Sequence, residues 1–157
     1  MSDGKVTRRS FLSAALAGGA AAGTANLYIM KDAFAQPSGP IKIGHHVELT
    51  GGFASWGYWH DKAGRKAVDL INQAGGIAGR KIELITEDTE SNPASGARKL
   101  RSLIQRSGAE FIVGSVHSGV MLASIPIATE LKTIYFSQGE ATEATGSKGT
   151  RYSFRTG

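Results

Sequence analysis

Four short apolar runs recur along this chain, at residues 41–49, 81–87, 110–114 and 133–137, and segments with apolar residues at helical spacing separate them. In the first run Ile41, Ile43, Val47 and Leu49 alternate until Thr50-Gly51-Gly52 ends the strand, and in the second Ile82 and Leu84 share a side. Between them, from about Tyr58 or Asp61, Ala63, Ala67, Leu70, Ile71 and Ala74 fall on one helical face, with Gly75-Gly76 as the stop. Asn92-Pro93 opens a second helix, because proline fits the first turn, and Ala97, Leu100, Leu103 and Ile104 then recur at helical spacing up to Gly108. A third helix is expected over residues 119–131, a long Gly/Thr/Glu loop over 138–150, and the opening of a fifth strand over 151–155. A β-α-β-α-β-α-β order admits few folds. Short right-handed crossovers place the strands parallel in one α/β sheet with helices on both faces.

The amino terminus is set apart from this pattern. Arg8-Arg9 is followed by Phe11-Leu12, then by a weakly hydrophobic Ala/Gly-rich run to about Tyr28 and by Ala33-Phe34-Ala35. That succession reads as a twin-arginine export signal over residues 1–35 with an Ala-x-Ala cleavage site, leaving 36–157 as the mature part. Gly18, Gly19, Gly23, Thr24 and Asn26 interrupt the run, so no stable membrane anchor is expected after cleavage. The chain stops just after its fifth strand has begun, which reads as a fragment of a longer protein.

Composition narrows the chemistry. With 41% apolar and 20% charged residues the chain is of ordinary globular composition. Part of its net charge of +5 belongs to Lys5, Arg8, Arg9 and Lys31 in the export segment. No basic run with interleaved aromatics follows, so nucleic acid is not an expected partner. Cysteine is absent, which removes disulfides, thiolate metal sites and cysteine nucleophiles. His45 and His46 are adjacent in a strand and point to opposite faces, so they cannot share a metal, while His60 and His117 stand alone. No cofactor or metal is implied. Gly75-Gly76-Ile77-Ala78-Gly79 follows a helix and precedes a strand, the reverse of a dinucleotide fingerprint. Asp88 and Glu90 read as solvated loop carboxylates.

In a parallel sheet, ligands sit beyond the carboxyl ends of the strands. The stretch Ile112-Val113-Gly114-Ser115-Val116-His117-Ser118-Gly119 is the strand-to-helix turn best suited to that position. If Ser118 starts the helix, its hydroxyl and the free N–H groups of the first turn, Gly119 included, suit a carboxylate; the alternative is that Ser118 caps its own helix. His117 and Ser118 could also be read as base and nucleophile of an exported hydrolase, but Val116 stands where the first glycine of a Gly-x-Ser-x-Gly elbow belongs. Phe53, Trp56, Tyr58 and Trp59 follow the first strand on the same edge, and Trp56, placed in the loop, is the aromatic most available to a ligand.

Ile41-Lys42-Ile43-Gly44, Leu49-Thr50-Gly51-Gly52-Phe53-Ala54 with Trp56-Gly57, and the run from Asp69 through Gly75-Gly76-Ile77-Ala78-Gly79-Arg80 to Leu84 occur in that order. Glu87-Asp88, Asn92-Pro93, Gly114 with Ser118-Gly119-Val120, and Tyr152-Ser153-Phe154-Arg155-Thr156 continue the series. Together they resemble the amino-terminal lobe of the periplasmic leucine-isoleucine-valine-type binding proteins of ABC transporters. The resemblance implies a periplasmic-binding-protein-like type I fold, Rossmann-like, present here as a partial first lobe, and a periplasmic protein without enzymatic activity. It implies a small-molecule solute (an amino acid, an amide, or a urea-like or related carboxylate) and a membrane ABC permease as partners. By position, Ser118 and Gly119 correspond to the carboxylate-binding turn, Ala141 and Thr142 to a second polar contact loop, and Trp56 to the aromatic wall. Gly139-Glu140 departs from the small apolar residues usual before the Ala-Thr pair, and His117 adds a donor. The same fold also serves ligand-sensing lobes of regulatory proteins.

Overall fold

The computed structural model of the chain describes residues 39–157; the paired arginines and Ala33-Phe34-Ala35 lie outside the described residues. Strands and helices alternate: β1 (Ile41–Val47), α1 (Ala54–Gln73), β2 (Ile82–Asp88), α2 (Pro93–Gln105), β3 (Phe111–Gly114), α3 (Ser118–Glu130), β4 (Ile134–Ser137) and β5 (Ser153–Arg155), with a 3-10 turn at Thr142–Ala144. The sheet order is β2-β1-β3-β4-β5 and every pair is parallel. Parallel pairing brings the ends of β1, β3 and β4 to one edge, where the turns that follow them meet.

One face of the sheet carries the main core. Leu100 and Leu103 of α2, Met121 and Ile125 of α3, Ile112 and Tyr135 are all buried there in a single cluster. The Asn92-Pro93 start of α2 is as expected: the Asn92 side-chain oxygen accepts from the N–H of Ser95 at 2.9 Å, and Pro93 takes the first helical position. β1 ends at Val47, two residues before the expected Leu49, which is exposed.

α1 lies on the opposite face and departs from the reading of its sequence in two ways. It begins at Ala54, earlier than Tyr58 or Asp61, so Trp56, Tyr58 and Trp59 are helical instead of occupying the loop. The apolar stripe is also not the side that meets the sheet: Ala63, Ala67 and Ala74 are exposed, and Leu70 and Ile71 keep 53% and 36% of their surface. Gly57 is the buried residue of α1, and Asp61, Gly64, Val68 and Asn72 are shielded at one-turn spacings from it. Close approach and polar anchoring decide the orientation. Gly64 lies against the His45 ring, and the Asn72 amide both donates to Ile82 O (2.9 Å) and accepts from Ile82 N–H (2.7 Å), fixing the last turn to β2. Apolar periodicity carries no record of such contacts.

Candidate functional site

The turn from β3 to α3 is built on two residues with positive φ, Gly114 at 133° and Ser115 at 63°. Glycine is required at the first, because a Cβ there would stand 2.1 Å from the carbonyl oxygen of His46. The conformation of Ser115 is unfavourable for a residue with a side chain and is held by its surroundings. Its hydroxyl donates to Glu48 Oε1 at 2.6 Å, and its carbonyl accepts from Ser137 Oγ (2.8 Å) and from Gln138 N–H (3.1 Å). The second oxygen of Glu48 accepts from Val116 N–H at 3.2 Å. Glu48 is fully buried, so the residue that follows β1 reaches under the neighbouring loop and ties it to the sheet.

Beyond this clamp the chain enters α3 through His117. Its backbone is extended (φ −78°, ψ 110°), and its Nδ1 accepts from Gly119 N–H at 2.9 Å and Val120 N–H at 3.3 Å. His117, and not Ser118, is therefore the N-cap of α3. The capping role considered for Ser118 is corrected accordingly, and the two first-turn amides considered as a carboxylate cradle are occupied by the imidazole. An imidazole whose Nδ1 accepts carries its proton on Nε2 when neutral, so the ring offers Ser118 no base. Phe53 packs edge-on against the His117 ring, centroids 4.5 Å apart, and its own N–H donates to Ser91 Oγ.

Ser118 is the first residue of α3; its oxygen accepts from Glu140 N–H at 3.1 Å, and its hydroxyl hydrogen has no acceptor among the described residues. Arg155 holds the same loop by donating to Glu140 O at 3.1 Å. These elements enclose a cavity of about 330 Å³ lined by Phe53, Trp56, Val116, His117, Ser118, Gln138 and Glu140. Trp56, 63% exposed on the first turn of α1, shares this cavity with Ser118, as their positions in sequence suggested. Gly119 contributes its N–H only to the His117 cap. Ala141 and Thr142 begin the 3-10 turn and lie outside the cavity lining; Ala141 packs partly against the core.

Sequence reasoning missed Glu48, Gln138 and the capping role of His117. Each acts across a distance in sequence or through a ring nitrogen that local pattern does not report. Asp88 also differs from its reading as a solvated carboxylate. It accepts from Leu49 N–H (2.9 Å), Thr50 N–H (3.2 Å), Thr50 Oγ1 (2.7 Å) and Glu90 N–H (2.8 Å), clipping the β1–α1 loop to the end of β2. Burial pushes its pKa up, but these donors outweigh that and hold it below the ordinary aspartate value. His45 and His46 do face opposite sides: His45 meets Asp61 at 3.4 Å under α1, and His46 bonds Gly96 O under α2. Among the described residues no three His, Asp or Glu side chains form a group that could hold a metal ion.

The geometry can be set beside known proteins. A family described as periplasmic binding protein matches residues 40–157. The "Leu/Ile/Val-binding protein homolog 8" of Brucella suis is 32% identical over 79% of this chain and 30% of its own length. The branched-chain amino acid transporter substrate-binding protein LivJ of Streptococcus pneumoniae, solved with isoleucine, is 34% identical with a TM-score of 0.69, over 74% of this chain and 33% of that one. A solute-binding protein of an ABC transporter from Rhodopseudomonas palustris, solved with benzoate, is 28% identical with a TM-score of 0.67, over 75% of this chain and 32% of that one. The chain thus spans about a third of the length of the relatives it matches. With the family matched along the whole described sheet, and with solved relatives sharing its α/β architecture, this chain belongs to the periplasmic binding proteins.

Proposed function

We propose that this chain is the partial first lobe, over residues 36–157, of an exported solute-binding protein that delivers a small amino acid, amide or related carboxylate to a membrane ABC permease. The observation that carries this reading is the Ser118 hydroxyl. Its hydrogen has no acceptor among the described residues, and Ser118 lines, together with the exposed Trp56, a cavity on the carboxyl edge of a parallel sheet. Isoleucine and benzoate, bound by two of the relatives, have a carboxylate in common and little else, which supports a site that selects for acceptor oxygens. Ala141 and Thr142 remain proposed contacts on the adjoining loop, reached once the solute or the loop shifts.

Ser118→Ala tests this reading. Losing one charge-assisted hydrogen bond costs about 1.5–3 kcal/mol, or roughly ten- to a hundredfold in affinity. Because His117 supplies the cap and the bond lost from Glu140 N–H is an exposed one, the melting temperature should fall only slightly. Titration of the isotope-labelled chain with isoleucine, benzoate and short amides, followed by amide NMR, reads weak binding residue by residue. A mutant that binds the best of these as wild type does would remove Ser118 from the site.

Export by the twin-arginine route is proposed on the sequence of residues 1–35. Arg8→Lys with Arg9→Lys should stop translocation and leave the folded residues 39–157 unchanged, since the pair is read as an address by the export machinery. Cell fractionation checks it. Undiminished periplasmic delivery of the double mutant would refute the route.

A further inference from the structure

The side of α1 turned away from the sheet opens with an aromatic and basic group. Tyr58 and Trp59 keep 55% and 63% of their surface, although large aromatic side chains are among those that gain most from burial. Their rings meet edge to face with centroids 5.2 Å apart. The Lys62 ammonium stands over both, 5.7 Å from the centre of Tyr58 and 5.2 Å from that of Trp59. Neither ring lines the candidate cavity. Lys62, Arg65 and Lys66 follow along the same side of the helix, one and two turns on, and all three are exposed. Of the α1 carboxylates, Asp61 is turned inward against His45 and Arg65, and Asp69 is exposed three residues beyond Lys66. Lys62 and Lys66 form no ion pair among the described residues.

We propose that this side of α1 is a docking surface for an anionic lipid bilayer, with the rings of Tyr58 and Trp59 at the level of the headgroups and Lys62, Arg65 and Lys66 against lipid phosphates. Residue type favours a bilayer over a protein partner. Lysine is depleted in protein–protein interfaces, whereas lysine beside tryptophan and tyrosine is the composition selected at membrane surfaces. Each of the two aromatics joins an apolar ring to a polar tip, which suits the boundary between hydrocarbon and phosphate. The positive charge of the lysines complements that of the lipid, and an exposed cation–π contact is weak enough for Lys62 to exchange the rings for a phosphate. No helix among the described residues is long and apolar enough to cross a membrane, so the contact is with the surface. This surface does not depend on the solute-binding reading. In the exported protein proposed above, it holds the chain beside the membrane in which the proposed permease sits.

Tryptophan emission tests the surface directly, because Trp56 and Trp59 are the two tryptophans of the chain. Trp56→Phe leaves Trp59 as the single reporter, and any lipid affinity of residues 1–35 is common to every variant built on it. The 157-residue chain is titrated with vesicles of phosphatidylglycerol and phosphatidylcholine in equal parts, and with phosphatidylcholine alone. On the anionic vesicles the Trp59 emission should move to shorter wavelength and be quenched by brominated lipid; on the neutral ones it should do neither. Lys62→Gln with Lys66→Gln should weaken binding about thirtyfold, since each basic residue near an anionic surface contributes about fivefold. Lys132→Gln with Lys148→Gln removes the same charge elsewhere and should bind as the parent does. Both pairs are exposed, so all these variants should melt together, and a lost shift then reports a lost contact. A Trp59 spectrum indifferent to anionic vesicles, or equally changed by neutral ones, would overturn the proposal. So would undiminished binding by Lys62→Gln with Lys66→Gln, or an equal loss in the distant pair, which would reduce the effect to net charge. A shift that grows with protein concentration in the absence of lipid would overturn it as well, by making a second copy of the chain the occupant.

Discussion

Gly57→Ala is expected to destabilise the domain by at least ~3 kcal/mol, beyond the usual cost of overpacking, because the new methyl group meets backbone that cannot turn aside. A Cβ at Gly57 would stand 1.8 Å from the carbonyl oxygen of Glu48 and 2.4 Å from its carbon. The gain of about 1 kcal/mol in helix propensity on replacing glycine by alanine does not offset this. The first turn of α1 must lift, and with it go Phe53 from the His117 ring and Trp56 from the cavity. Gly64→Ala, one face-repeat further along the same helix, is the internal control. Its nearest neighbour is the His45 ring at 3.0 Å, a side chain that must shift by a few tenths of an ångström where Glu48 backbone cannot, so the substitution should cost clearly less than Gly57→Ala. Urea denaturation of both variants, with His117 ring resonances as a local reporter, checks the pair. A Gly57→Ala protein as stable as Gly64→Ala would show that α1 does not approach Glu48 as closely as described.

Stability should also fall as the solution is acidified from about pH 6.5 to about pH 4, by roughly 3 kcal/mol from His46 alone. The side chain is fully buried beside Tyr135, and its Nε2 donates to Gly96 O at 2.8 Å, leaving Nδ1 as a buried acceptor without a partner. Burial pushes its pKa from 6.5 down to about 4. The sign follows from proton counting. Between these values the unfolded chain binds a proton at this residue and the folded chain does not, so lowering the pH favours unfolding, and the full loss is reached below about pH 4. His45 contributes in the same direction, since burial lowers its pKa despite the attraction of Asp61. Denaturation curves across this window should steepen in their pH dependence for wild type and flatten in His46→Gln, whose amide can still donate towards Gly96. Equal slopes for the two proteins would mean that His46 is already accessible to protons in the folded state.

Much of the architecture was legible in the residues. The order of strands and helices, the parallel sheet and the Asn92-Pro93 helix start follow from short-range chemistry: alternation, helical spacing, and a proline confined to the first turn. The carboxyl-edge turn at Gly114–Gly119 was also identifiable, because a parallel sheet leaves its binding edge where the strands end. The family resemblance was carried by motifs spread over residues 41–156. Local pattern failed where a residue's partner is remote in sequence. Glu48 and Ser115 are joined over 67 positions, and neither signals the other. The face of α1 was misread because apolar residues at helical spacing identify a stripe, whereas two glycines and the Asn72 amide selected which side could approach the sheet. Ser118 was singled out as a candidate from its place in the turn, but which atom caps α3 depends on a ring orientation set jointly by Phe53 and two amides. The sequence by itself determined that a parallel α/β sheet forms and where its carboxyl edge lies, since those depend on neighbours a few residues apart. Only the tertiary structure decided which groups of the turn are already hydrogen-bonded to one another, because that choice is settled by geometry finer than residue type.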